Sequence, residues 1–338
     1  MSTRPFLLAL ALTAGAALAQ GGMPIVVTPD NFSRAETDRE FGVTVKSGGF
    51  GKFHHIRELL PIEKQTVVRG NRDTLYSAGV FDLDAGPLTV TLPDAGTRFM
   101  SMQLIDQDHY VPAVVYGAGR YTYTRQQVGT RYVLIGIRTL VDPADPADVK
   151  QAHALQDALS AIQPNVGSFE TPDWDDASRK KVGEALIQLA ATIPDTQRMF
   201  GARGKVDPVR HLVGAATGWG GNPENAAMYV TVVPPKNDGQ TVHRLTVKDV
   251  PVDGFWSISV YDAKGYYQKN PLNAYTVNNL TAQKDADGST TVQFGGCDGK
   301  VSNCIPIMDG WNYWVRLYRP RPEILSGKWR FPEAQPAH

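Results

Sequence analysis

Leu88-Thr89-Val90-Thr91-Leu92, the Pro93-Asp94-Ala95-Gly96 interval, and Arg98-Phe99-Met100-Ser101-Met102-Gln103-Leu104-Ile105 together decide the fold class. Apolar residues recur at every second position, with Met100, Met102 and Leu104 on one face and Ser101 and Gln103 on the other. A period of two marks half-buried strands, because successive side chains leave opposite faces of a sheet. The Pro-to-Gly interval supplies the turn between the runs. A longer apolar strand, Arg131 to Leu140, follows, so residues from about 65 to 141 read as an antiparallel β domain.

The period changes after Val141. Asp145-Pro146 is a helix start, with Asp as cap and Pro in the first turn. Val149, Ala152, Leu155, Leu159 and Ile162 then form an apolar stripe that ends at Pro164. Val182, Ala185, Leu186, Leu189, Ala190 and Ile193 lie on one face of a second helix, stopped by Pro194. Asp207-Pro208 starts a third. Strands resume near Met228: Thr241–Val247, Phe255–Tyr261, Thr290–Phe294 and Trp311–Tyr318 are rich in β-branched and aromatic residues. Asp287-Gly288 is a hairpin turn signal, and the Asp285-to-Gly288 run lacks the later acidic ligands of a calcium loop. The expected organisation is an N-terminal β domain over 20–141, a helical insert over 142–217 and a C-terminal β domain over 218–338.

Bulk properties bound the function. The 338 residues suffice for about two domains, and 42% hydrophobic with 20% charged residues is a globular composition. Lys+Arg and Asp+Glu are both 34, so no basic field exists to attract nucleic acid. Residues 1–19 read as a signal peptide. Arg4 supplies the positive start, Phe6 to Leu18 the apolar run, and Ala17-Leu18-Ala19 the cleavage site before Gln20. That run is too short to span a bilayer comfortably, and no other stretch approaches 18 apolar residues. The mature chain is therefore expected to be soluble, without a membrane partner, and periplasmic or secreted. In that oxidising space Cys297 and Cys304, the only two cysteines, are expected to close a loop disulfide. Such a small ring stabilises by roughly 2–3 kcal/mol in the chain-entropy model.

Two sets of motifs carry a resemblance. Asn71-Arg72-Asp73-Thr74-Leu75-Tyr76-Ser77, Phe81-Asp82-Leu83, Gly86-Pro87, Leu92-Pro93-Asp94 and Gly129-Thr130-Arg131-Tyr132 resemble the signature of the family of unknown function DUF1254. Gly254-Phe255-Trp256-Ser257-Ile258-Ser259-Val260-Tyr261-Asp262, Asn270-Pro271 and Arg316-Leu317-Tyr318 resemble its partner family DUF1214, and Gly218-Trp219-Gly220-Gly221-Asn222 resembles the junction between them. The resemblance implies a mainly β fold with a helical insert, in which a β-sandwich-like N-terminal domain precedes a jelly-roll-like C-terminal domain. Cys304-Ile305-Pro306 and Ala274-Tyr275 depart from the usual pattern, where Trp before Leu-Pro and an Arg-Tyr pair are common. The resemblance implies architecture and no activity.

Two polar runs are candidates for chemistry. In Asn71-Arg72-Asp73, Arg72 can grip a carboxylate or phosphate bidentately with Asn71 orienting it, or an Arg–Asp pair can hold neighbouring turns. In a strand Arg72 faces opposite to Asn71 and Asp73. In Asp106-Gln107-Asp108-His109-Tyr110, Asp106, Asp108 and His109 can supply metal ligands or an acid–base pair, although Asp is also an ordinary turn residue. His54 and His55 diverge, and His211 sits among apolar helix residues. Along the last strand Trp311 and Tyr313 face one way, Trp314 and Tyr318 the other. No nucleophile elbow, zinc-protease helix, phosphate loop or dinucleotide fingerprint occurs, and no cofactor is implied.

Three functions stay open at this point: an exported β protein binding a small polar ligand such as a carbohydrate or organic anion near the domain junction; a metal-assisted or acid–base hydrolase using Asp106, Asp108 and His109; and an oligomeric assembly protein that pairs with its own copies. Fractionation of the producing cell is expected to place the chain, shortened at its N-terminus and without free thiols, outside the cytoplasm. Full-length chain inside the cell with two free sulfhydryls contradicts the export reading.

Overall fold

The computed structural model describes residues 23–65 and 67–337, so the signal-peptide reading of residues 1–19 lies outside the described residues. The fold is mainly β with a helical insert. In the N-terminal part, strands β1 His54–Ile56, β2 Thr74–Asp82, β3 Leu88–Leu92, β4 Met100–Asp106, β5 Val114–Val115, β6 Gly119–Tyr123, β7 Tyr132–Leu140 and β8 Ser160–Ile162 build two sheets. A five-stranded sheet ordered β1-β2-β7-β4-β5 packs on a three-stranded one ordered β6-β3-β8, and every pairing is antiparallel. Leu88, Val90 and Leu92 from β3 meet Met100, Met102 and Leu104 from β4 and the odd-numbered residues of β7 in one core. The alternation read from the sequence is the alternation that builds it.

The helices are α1 Phe32–Lys46, α2 Arg125–Val128, α3 Pro146–Asp157, α4 Asp176–Ala190, α5 Pro208–Thr217 and α6 Pro322–Leu325. Asp145, Asp175 and Asp207 cap α3, α4 and α5 through their carboxylates, satisfying first-turn N–H groups. Helix α1 differs from the expectation of a purely β region before residue 141. Its buried face mixes Phe32, Ala35 and Phe41 with Glu36, Thr37 and Asp38, so no clean apolar stripe announces it. Helix α3 also stops short of Pro164: Ser160–Ile162 peels off as β8 and pairs with Thr89–Thr91, so the insert contributes a strand to the first sandwich.

The C-terminal part contains β9 Ala227–Val232, β10 His243–Val247, β11 Trp256–Tyr261, β12 Thr276–Asn278, β13 Thr290–Phe294, β14 Cys304–Ile305, β15 Asn312–Tyr318 and β16 Gln335–Pro336. They form two four-stranded sheets, β14-β13-β10-β16 and β12-β11-β15-β9, around a core that includes Ile258, Val260, Phe294, Trp311 and Tyr313. Asp287-Gly288 sits in a tight turn closed by the Asp285 and Gly288 N–H groups, but it leads into β13 without pairing adjacent strands as a hairpin. Cys297 and Cys304 are disulfide-bonded across the loop before β14. No helix among the described residues is long and apolar enough to cross a membrane.

One expectation fails in an instructive way. Strand β4 is buried at every position, Ser101 and Gln103 included, rather than half-buried. The second face of the five-stranded sheet is covered as well: at one end by α1 and Trp219, which pack on Tyr132 and Leu134, and at the other by the C-terminal domain, whose Phe255 and Tyr318 pack on Phe99 and Leu140. The partner face of the C-terminal sheet is polar. Asn278, Ser257, Arg316 and Tyr229 form one cross-strand row, and Thr276, Ser259, Trp314 and Thr231 the next. Trp314 and Tyr318 therefore face the first domain, opposite to Trp311 and Tyr313.

Arg316, 2% exposed, ties the two layers together. Its guanidinium donates to the carbonyls of Arg69 and Gly70 at 2.8 and 3.0 Å, to Ser259 Oγ at 2.9 Å and to the Tyr261 hydroxyl at 2.6 Å. Arg69 has a left-handed φ of 55°, which turns the chain so that consecutive carbonyls face the arginine. Removing a buried donor leaves its acceptors unpaired, at a cost of roughly 3 kcal/mol or more. Arg316→Met is expected to lower the midpoint of thermal unfolding by several degrees and to separate unfolding of the two domains in calorimetry. An unchanged, single transition contradicts the role given to Arg316.

Candidate functional site

A hollow lies where the two domains meet, a cleft of about 760 Å³ with walls from both. From the first domain come the Pro93–Met100 turn and Tyr116 after β5; from the second come Asp253–Phe255, Asn279 and Arg319. Phe99 and Phe255 form its floor, their rings 5.0 Å apart and nearly perpendicular, with Tyr318 stacked on Phe255 at 4.2 Å. Gly254 is required there. A Cβ at this position would meet the Tyr318 carbonyl oxygen at 2.7 Å and the Phe99 ring at 3.1 Å.

Two arginines reach the cleft, with different electrostatics. Arg98 is neutralised: it donates to the Leu140 carbonyl at 2.6 Å and to the Asp148 carboxylate at 2.9 Å. The hydrogen bonds from Arg98 hold the Asp148 carboxyl below the usual carboxylate range. Arg319 forms no ion pair among the described residues. It follows β15 in a left-handed conformation with φ of 51°, pinned by its N–H on Ala226 O and by the Asp253 N–H on its own carbonyl. That geometry lays its guanidinium over the Tyr116 ring, 4.7 Å from the centroid. Burial pushes the Tyr116 phenol up to about 12, so it stays protonated beside the cation. A positioned guanidinium above an aromatic floor can bind a carboxylate or phosphate whose remainder is apolar.

Asn71, Arg72 and Asp73 are not part of this cleft. The Asn71 amide donates to Thr74 Oγ1 at 2.9 Å and to the Tyr76 hydroxyl at 3.0 Å, and its oxygen accepts the Asp73 N–H. Asp73 is fully buried in the domain junction, where Oδ1 accepts from Thr276 and Asn278 at 3.1 and 3.0 Å and Oδ2 has no partner. Arg72 points elsewhere, donating to the Leu60 carbonyl and lying over Tyr275 at 5.2 Å. The strand-like divergence of Arg72 from its two neighbours is observed.

Asp106, Asp108 and His109 lie at the far end of the same sheet. Thr74 pairs with Leu140 whereas Asp106 pairs with Val133, so the two polar runs are separated by roughly 23 Å along β7. Asp106 closes the turn after β4, accepting the Asp108 and Tyr110 N–H groups at 2.8 and 2.9 Å. Asp108 is paired with Arg34 and Arg203. His109 is fully buried at a left-handed φ of 67°, between Trp219 and His211, and its Nε2 accepts the Gly220 N–H at 3.0 Å. Nε2 is thus unprotonated and the Nδ1 proton has no partner. Among the described residues no group of three or more His, Cys, Asp or Glu is disposed to hold a metal ion.

The sequence reading missed Arg319 and Tyr116. Neither stands in a recognisable pattern: Arg319 acquires its role from a left-handed backbone between Tyr318 and Pro320, and Tyr116 from the loop that carries it beside the second domain.

Comparisons with known proteins place this geometry in a context. Residues 50–163 match the family model described as Protein of unknown function (DUF1254), and residues 234–322 match Protein of unknown function (DUF1214). The search of curated proteins found no match. The crystal structure of the VPA0106 protein from Vibrio parahaemolyticus is similar, with a TM-score of 0.69 and 17% identity over 91% of this chain and 98% of that one. A putative uncharacterised protein from Burkholderia cenocepacia gives a TM-score of 0.48 and 12% identity over 87% and 86%. The likeness to the Vibrio structure shows the fold alone.

The buried turn makes a pH prediction. Burial, with the neighbouring His211, pushes His109 down to about 3, and burial pushes Asp106 up to about 6. Below the ordinary histidine value near 6.5 the unfolded chain binds a proton that folded His109 refuses, so its contribution to stability declines as pH falls toward 3. Asp106 acts oppositely, favouring the folded chain as pH falls from 6 toward 4. His109→Asn tolerates the left-handed backbone without titrating. Its stability deficit relative to wild type, measured by denaturant unfolding, is expected to shrink between pH 6.5 and 4. A deficit independent of pH contradicts the assignment.

Proposed function

We propose that this chain, in which a DUF1254 region is coupled to a DUF1214 region, is an exported two-domain protein that binds a small organic anion in the cleft between its domains. The observation that carries the reading is the Arg319 guanidinium, held over Tyr116 without a carboxylate partner, above the Phe99–Phe255 floor of a 760 Å³ hollow. Clefts at domain boundaries are a usual place for small-molecule sites. The anionic group would take the bidentate face of Arg319, and the carbon skeleton would lie along the cleft beside Phe99 and Gly254. The disulfide and the lack of a membrane-crossing helix among the described residues are compatible with export.

Among the alternatives, a hydrolase using Asp106, Asp108 and His109 gains no support, because these groups are engaged in a closed turn and His109 has no exposed surface. Arg319 is the group that favours an anion over a neutral carbohydrate; of the carboxylates in the lining, Asp148 and Asp253 are paired with Arg98 and Arg321, and Asp94 accepts the Gly96 N–H.

A thermal-shift screen of carboxylates, phosphate esters and neutral sugars is expected to find stabilisers among the anions, since ligand binding raises stability by mass action. Arg319→Ala is expected to weaken the best hit about ten- to hundredfold by calorimetry, the usual loss for one charge-assisted contact. Arg72→Ala is expected to leave it unchanged. Undiminished binding by Arg319→Ala, or hits confined to neutral sugars, contradicts the reading.

A further inference from the structure

We propose that the cleft continues over Gly254 into a second hollow, and that its ligand is an organic dianion with an apolar spacer between two anionic groups. This rests on the organic-anion reading of the cleft. The second hollow, about 210 Å³, is lined by Val247, Thr290 and Trp256 together with Lys248 and Lys284. It shares Gly254 and Asn279 with the larger one, so the two adjoin along one rim.

The alternation of β11 explains the arrangement. Phe255 faces the domain junction and Trp256 the interior of the C-terminal sandwich, so two consecutive side chains floor two hollows on either side of one strand start. The Gly254 backbone lies at the saddle, where no side chain rises to separate them. Asn279 is fixed beside it by accepting the Trp256 N–H at 3.0 Å.

Cations line both hollows, beside the carboxylates of Asp94, Asp148 and Asp253 in the first and of Asp249 in the second; Asp148 and Asp253 are paired with Arg98 and Arg321. Arg319 lines the first hollow without an ion pair among the described residues. In the second, Lys248 has Asp287 only at 4.0 Å, with both side chains about half exposed or more, and Lys284 forms no ion pair among the described residues. A monoanion can use one end. A ligand with an anionic group at each end and an aliphatic or aromatic middle uses both, and crosses the Gly254 saddle between them.

The test is calorimetric titration of the purified protein with linear monocarboxylates and the α,ω-dicarboxylates of the same lengths. Beyond a threshold chain length the dicarboxylate is expected to bind about tenfold more tightly than its monocarboxylate. Lys248→Ala/Lys284→Ala is expected to remove that gain and leave monocarboxylate affinity unchanged; these exposed lysines support no packing. Arg319→Ala is expected to weaken both series. Equal binding of the two series at every length, with Arg319 still required, overturns the dianion inference and spares the cleft reading. A dicarboxylate gain that survives the double lysine variant overturns the second hollow as its seat. Binding of neither series, or binding indifferent to Arg319, overturns the cleft reading itself.

Discussion

A buried guanidinium that must find acceptors sets the relation of the two domains. Arg316 leaves the polar face of the C-terminal sheet, where its own strands offer Ser259 and Tyr261. The remaining valences are met only by main-chain carbonyls of residues 69 and 70, which belong to the other domain. Burying an arginine without a carboxylate is tolerable when it keeps such hydrogen bonds, and costly when they are lost. The interface therefore has one good register. Asp73, held by Thr276 and Asn278 across the same boundary, and Gly70, whose carbonyl also accepts from Tyr261 and Tyr267, reinforce it.

The cleft follows from that register. Polar rows of the second sheet are clamped over residues 69–73, and the aromatic residues beyond them, Phe99, Phe255 and Tyr318, close the near end of the interface. Where this packing stops, the Pro93–Arg98 turn and the Asp253–Gly254 turn splay apart and leave a hollow. Arg316 and Arg319 lie three residues apart yet do opposite things. The first lies within β15 and is spent on protein acceptors; the second lies just past its end, turned by a left-handed residue, and keeps its charge for something else.

The sandwich cores were legible because they obey simple periods. Met100, Met102 and Leu104 alternate with polar residues, and the caps Asp145 and Asp207 stand directly before helices. Helix α1 was not, since Glu36, Thr37 and Asp38 occupy its buried face and are satisfied by Arg179, Trp219 and Gln107 from elsewhere in the chain. Ser101 and Gln103 misled for the same reason. A polar residue on a strand implies solvent only if no polar surface from another element covers it, and here Gly220 and Gly221 carbonyls do, accepting from the Gln103 amide.

The residues that carry the family resemblance explain why the motifs do not name a ligand. Asn71 and Asp73 hold the strand entry and the junction, Phe255 and Tyr318 fill the aromatic seal, and Arg316 is the clamp. Trp219 and Gly220 cover His109. Such motifs specify how two sandwiches are joined, a demand any ligand leaves unchanged. On the proposed reading, ligand selection falls instead to residues that line the hollows, above all Arg319, stacked over Tyr116, and the exposed Lys248 and Lys284. Charge at these positions can vary without disturbing the clamp beneath it. On the organic-anion reading, ligand preference is then a property of the rim, where Arg319, Lys248 and Lys284 carry the charge.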